Sequence, residues 1–338
     1  MTHIAADAKE TARPFGAPLD GLSHVVGPVD EPLWEKTIPQ VLAETATRFP
    51  DREAVIFRAQ GIRRTWSQFA AEVDRLAAGF LALGLEKGDR VGVWSPNRHE
   101  WVLTQFATAR IGVILVNINP AYRLSELEFA LNKVGCKALV TAQSFKTSDY
   151  IGMIRTLAPE LETSEPGRLQ SKTLPHLKWV IAMADEAGPG ILSFPALMTM
   201  GGDAEAARLD AITATLDPNE AINIQFTSGT TGAPKGATLT HRNIVNNGRF
   251  VTGRINFTEA DRLCIPVPLY HCFGMVMGVL GCTAWGSAMI FPGEGFDAEP
   301  ALDALEAERC TACYGVPTMF IAMLEALKTR PRDLSAMR

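Results

Sequence analysis

Between Thr227 and Gly236 the chain reads TSGTTGAPKG, which places hydroxyls at Thr227, Ser228, Thr230 and Thr231 and glycines at Gly229 and Gly232 ahead of Lys235. Bare glycine backbone, hydroxyl donors and one ammonium complement dense negative charge, so a polyphosphate is the first ligand to consider. An ordinary surface loop explains the Gly and Thr residues separately, but not their order with Pro-Lys-Gly. The nucleotide-binding P-loop, G-x-x-x-x-G-K-[ST], does not fit, because Pro234 precedes Lys235 and Gly236 follows it.

The elements that must hold this loop read as alternating strands and helices. EAVIF (53 to 57) and IRRTW (62 to 66) flank Gly61 as a hairpin. Thr65-x-x-Gln68 forms a capping box for a helix that stops near Gly84. DRVGVW is a strand, NRHEWVLTQFATARIG a helix and VILVNINP a strand. Ser125-x-x-Glu128 then opens a helix that Gly135 ends, and KALVTA returns as a strand. After 184 to 203, where periodicity gives way to Gly and Pro, strand AINIQFT leads into the loop, and GATLT and a helix from His241 to about Gly253 follow it. RLCIPVP and SAMIFP are further strands, AEPALDALEAERC is a helix, TACYGV is a strand, and Pro317 starts a last helix. The pattern predicts an α/β fold of largely parallel, helix-covered sheets in two subdomains. By position, 1–36 is an N-terminal extension, 37–183 a first α/β region, 184–220 a junction, and 221–338 a second α/β region carrying the loop.

Composition excludes several classes. With 338 residues, 47% of them hydrophobic, the chain has material for a substantial core. A net charge of -5 without a long basic run gives no footprint for nucleic acid. Six cysteines, mostly in apolar segments, suit buried thiols in a reducing compartment. Cys310-x-x-Cys313 stands without a second pair or a spaced His, so no metal site is expected. The N-terminus has neither signal nor transit-peptide character, which predicts a cytoplasmic protein. From Cys264 to Gly293 no Asp, Glu, Lys or Arg occurs. Pro266 and Pro268 break the front of that run, Gly274, Gly278, Gly281 and Gly286 dilute it, and Pro292 closes it, which predicts strand, buried helix and strand rather than a membrane span.

TSGTTGAPKG resembles the signature phosphate loop of the adenylate-forming, AMP-binding superfamily, and LTHRN (239 to 243) follows it as members usually have it. PLYHCFG (268 to 274) is similar to the next core motif, beside the acyl-substrate pocket. TWSQF, GLEKGDRVGVWSPN, GVILVNINP and CYGVPTMF extend the resemblance over nearly the whole chain. The subgroup it most resembles is the medium- to long-chain fatty acyl-CoA synthetases. Members continue further, through a Tyr-Gly-x-Thr-Glu adenine and magnesium motif, a ribose-binding Asp and a mobile C-terminal domain with a catalytic Lys. None of these is in this sequence, so the chain is expected to be the front part of such an enzyme, inactive or nearly so by itself.

The resemblance implies that a fatty acid, ATP with Mg2+, and coenzyme A are the reactants. Thr227, Ser228, Gly229, Thr230, Thr231 and Gly232 would grip the β- and γ-phosphates, with Lys235 as the neighbouring cation. His271 would face the carboxylate and α-phosphate; its structural alternative is a satisfied histidine after a strand. Tyr270, Phe273 and Gly274, with Tyr314, Val316 and Pro317, would line the acyl pocket, or else are core aromatics, helix packing and the end of a strand. Gly278 and Gly281 divide the same way, and His241 and Arg242 open a helix. Two other readings stand beside the main one: an aryl or amino acid adenylating enzyme, and a non-catalytic binding module.

Overall fold

The computed structural model describes residues 31–227 and 234–338. The chain divides into two units, Met1–Trp34 and Glu35–Arg338, and the second carries all the regular elements that follow.

Two sheets organise it. The larger runs in the order Lys235–Thr240, Ala221–Thr227, Ile114–Asn117, Arg90–Trp94, Ala138–Thr141, Trp179–Ala182, Leu192–Ser193. All its neighbours are parallel except the edge pair Lys235–Thr240 and Ala221–Thr227, which is antiparallel. The smaller runs Ala312–Cys313, Arg262–Cys264, Ala288–Phe291, Glu53–Phe57, Ile62–Thr65, again parallel but for its last, hairpin-linked pair. Parallel strands buried on both faces read as near-continuous apolar runs, which is how AVIF, ALVT and AMIF appear in the sequence.

Each sheet takes strands from both sides of the 184–220 stretch. Ala221–Thr227 pairs with Ile114–Asn117, and Glu53–Phe57 pairs with Ala288–Phe291, so the regions before and after the junction interleave. Local pattern cannot show this, because a parallel pairing joins segments with no sequence proximity.

A helical layer separates the sheets. Helix Trp66–Ala82 contacts the smaller sheet, helix His99–Arg110 contacts the larger, and the two pack on each other. Trp101 to Ala109 are accordingly all buried, as a helix with neighbours on every side requires. The expected capping box at Thr65 is present: its side chain accepts from the Gln68 N–H, and the Gln68 side chain accepts from the Thr65 N–H. The other predicted cap is corrected. Helix Leu124–Val134 begins one residue before Ser125, and it is Glu126, not Glu128, that reaches back to the Arg123 N–H at 3.1 Å.

The uncharged run leaves strand Arg262–Cys264 and forms a π-helical stretch Phe273–Leu280 continuing as α-helix Gly281–Trp285, then strand Ala288–Phe291. Helix His241–Arg254 packs against it at small residues: a Cβ on Gly248 would lie 2.7 Å from the Val276 carbonyl oxygen and 2.9 Å from the Gly281 nitrogen. Among the described residues no helix is long and apolar enough to cross a membrane.

Candidate functional site

Strand Ala221–Thr227 and its antiparallel partner Lys235–Thr240 carry the glycine-rich loop between them. Thr227 and Lys235 are register partners at its neck, both exposed, and the Thr227 hydroxyl donates to the Lys235 carbonyl at 3.4 Å. Ser228, Gly229, Thr230, Thr231 and Gly232 lie outside the described residues.

The second candidate segment crosses the carboxyl ends of three neighbouring strands of the larger sheet, the edge where ligands collect in open α/β folds. Strand alternation puts Asn223, Gln225 and Thr227 on one face, and Gln225 is the register partner of Asn117. Gln225 Nε2 donates to the Tyr270 carbonyl at 2.9 Å and Asn117 Nδ2 donates to the same oxygen at 3.2 Å. Asn97, beyond the end of Arg90–Trp94, donates through Nδ2 to the Val267 carbonyl (2.9 Å) and accepts the Leu269 N–H through Oδ1 (2.8 Å). These amides sit in apolar strands or just past them, and that mismatch was the signal in the sequence; the motif reading passed over them.

His271 follows at once and is exposed. Its Nδ1 accepts the Phe273 N–H at 3.2 Å, which leaves the ring proton on Nε2 as a donor. The His271 carbonyl accepts from the Gly274 and Met275 N–H groups, so the histidine also starts the π-helical turn. Tyr270 and His271 meet edge to face at 6.5 Å between ring centroids, and burial pushes the Tyr270 phenol above its ordinary pKa. Phe273 packs on Tyr314 at 5.0 Å, and the Tyr314 hydroxyl reaches the Met277 carbonyl at 3.4 Å.

The structure thus joins Tyr270, His271, Phe273 and Tyr314 through successive contacts, and Gln225 ties Tyr270 to the strand that ends at Thr227. Val316 and Pro317 lie exposed at the start of helix Pro317–Thr329. Gly274 has no space beside it: a Cβ there would lie 2.3 Å from the Pro268 carbonyl oxygen, so close packing accounts for that glycine. His241 opens its helix as expected but is also buried, with Nδ1 accepting the Ile38 N–H at 3.2 Å.

Beside Tyr270 opens a cavity of about 340 Å3, lined among others by Asn119, Arg123, Lys146 and Glu294. Arg123 donates to the Ser148 hydroxyl at 2.9 Å, and Arg98 pairs with Glu294 at 2.7 Å. Among the described residues no cluster of three or more His, Cys, Asp or Glu side chains is placed to hold a metal.

A family model described as AMP-binding enzyme matches residues 42–338. The chain belongs to this family. Curated relatives of this AMP-binding chain include the mitochondrial medium-chain acyl-CoA ligase ACSF2 of Danio rerio, 48% identical over 318 residues, covering 94% of this chain and 52% of that protein. The Homo sapiens protein of the same name is 43% identical over 337 residues, covering 98% and 54%. The chain therefore spans about half the length of these relatives. Among solved structures, a long-chain-fatty-acid-CoA ligase from Archaeoglobus fulgidus superposes with TM-score 0.74 at 22% identity, covering 94% of this chain and 59% of that one. The N-terminal domain of FACL13 from Mycobacterium tuberculosis gives TM-score 0.70 at 24% identity, covering 90% and 68%. These two likenesses concern the fold, and both carry the same helix-covered, largely parallel architecture.

Proposed function

We propose that the protein to which these residues belong is an ATP-dependent fatty acyl-CoA synthetase. A carboxylate attacks the α-phosphorus of ATP, pyrophosphate leaves, and the thiol of coenzyme A then displaces AMP from the acyl-adenylate. The observation that carries this reading is the Gln225 to Tyr270 hydrogen bond, which ties the strand entering the glycine-rich loop to the segment bearing His271.

In this reading the Thr227 to Gly232 run and Lys235 take the β- and γ-phosphates. Glycine allows close backbone approach and the hydroxyls donate without bulk. His271 Nε2–H is the donor to the carboxylate or α-phosphate oxygen as charge develops. Mg2+ would enter with the triphosphate, whose charge it offsets. Arg123 and Lys146 in the cavity beside Tyr270 supply positive charge for the phosphate-bearing end of the thiol substrate. Phe273, Tyr314, Val316 and Pro317 form the side on which we place the acyl chain.

The relatives' printed names favour a medium-chain acid. All six cysteines are free thiols, which suits a reducing compartment; the two ACSF2 proteins are named as mitochondrial, and the cytoplasm meets the same condition. The test is pyrophosphate exchange into ATP by the full-length protein over fatty, aryl and amino acids. The expected result is exchange that depends on a fatty acid and is strongest at medium chain length. Exchange supported only by aryl or amino acids would move the protein to another branch, and no acid-dependent exchange would overturn the enzymatic reading.

A further inference from the structure

Three side-chain amides converge on the four residues ahead of His271: Asn117 and Gln225 from two adjacent strands of the larger sheet, and Asn97 from just past the end of a third. Asn97 holds Val267 and Leu269, while Asn117 and Gln225 both hold the Tyr270 carbonyl. All three are buried, at 3%, 0% and 6% exposure, where a polar side chain is tolerated only when its hydrogen bonds are made.

The amides are also ordered among themselves. Asn223 Nδ2 donates to Asn117 Oδ1 at 3.1 Å, Asn117 Nδ2 donates to Gln225 Oε1 at 2.9 Å, and Gln225 Nε2 donates to Tyr270. Every link runs the same way, so each carboxamide is fixed by the one before it. The chain ends on the peptide that carries His271. Two residues beyond Gln225, on the same strand face, stands Thr227.

We propose that Asn97, Asn117 and Gln225 form a carboxamide clamp that positions His271 relative to the Thr227 and Lys235 neck of the loop. Gln225 is its critical positioning residue. The inference rests on the adenylation reading for its kinetic consequence, but its structural content is independent of it. Stability alone would be served by apolar residues in these strands. The cost of burying amides is recovered only through the fixed relation of two backbone segments, and reacting groups misplaced by about 1 Å lose roughly a hundredfold in rate.

The test uses the full-length protein with Gln225→Leu, and with Gln225→Glu as a near-isosteric variant that removes the donor. Adenylation kcat is expected to fall about ten- to a hundredfold with the KM for ATP within about twofold. Combined with His271→Ala, either variant should add nothing to the loss caused by His271→Ala alone, because the clamp acts through that residue. Multiplicative losses in the double variant, or an unchanged kcat, would overturn the proposal.

Amide hydrogen exchange supplies a readout that needs no activity. The clamp predicts faster exchange confined to about residues 267–275, whereas a merely stabilising role raises exchange throughout the sheet. Unaltered local exchange in both variants would also overturn it. A wild-type protein inactive with every acid would refute the synthetase reading, and the exchange pattern would still decide the clamp.

Discussion

Thr227 and Lys235 face each other across the antiparallel pair that brackets the glycine-rich loop, joined by the Thr227 hydroxyl and the Lys235 carbonyl. The contact uses only the lysine's backbone, so its exposed side chain contributes nothing to that join.

Lys235→Ala should therefore separate function from stability. The unfolding free energy is expected to change by no more than about 0.5 kcal/mol, as at most surface positions. The kcat/KM for ATP is expected to fall by about a hundredfold, the usual size for loss of one preorganised charge-stabilising group. Paired denaturation and pyrophosphate-exchange measurements check both numbers; full exchange activity in the variant would remove Lys235 from the site.

His241 gives the fold a pH dependence. Burial lowers its pKa from 6.5 to about 4, with the charge of Lys87 adding and Glu220 and Asp217 opposing. The folded state thus takes up its proton later than the unfolded chain as pH falls. Above about pH 6.5 both states are neutral here and nothing is lost. Between 6.5 and 4 the unfolded state binds more protons, and stability falls by about 3 kcal/mol before levelling off. Protonation also opposes the Ile38 N–H bond to Nδ1. Urea titrations from pH 7.5 to 4 should show this fall in the wild type, and a shallower one in His241→Asn, which can accept a hydrogen bond but does not titrate.

Gly274→Ala should disturb the segment ahead of His271, since the added Cβ would meet the Pro268 carbonyl oxygen at 2.3 Å. That atom is backbone and cannot swing aside, so a destabilisation of about 1–3 kcal/mol is expected. A denaturation curve superimposable on the wild type's would show that the turn is looser than the structure has it.

Much of the architecture was legible because it is local. Thr65 and Gln68, Gly84 and Gly135 marked helix ends through capping chemistry that acts over a few residues, and apolar runs marked the parallel strands. Ser125 and Glu128 misled because the helix starts earlier than they suggest: the pair that makes the bond, Arg123 and Glu126, has the same spacing two residues upstream. The pairing of Glu53–Phe57 with Ala288–Phe291 was not legible, because no local rule encodes so distant a partner. Nor was the π-helical path of Phe273–Leu280, or its tight packing against Gly248. For the candidate site, residue type and order in the sequence singled out the Thr227 to Lys235 run and His271 as candidates. Asn97, Asn117 and Gln225 stood out only as polar residues in or beside apolar strands, since the shared bonds they make to residues 267–270 appear only when the strand ends lie side by side.

The most direct test is a crystal structure of the full-length protein with a non-hydrolysable ATP analogue and a medium-chain fatty acid. The account predicts the β- and γ-phosphates within hydrogen-bonding reach of the Thr227 hydroxyl and the Lys235 ammonium, with the α-phosphate and carboxylate near His271 Nε2. A triphosphate bound elsewhere, with Thr227 and Lys235 left in solvent, would contradict it.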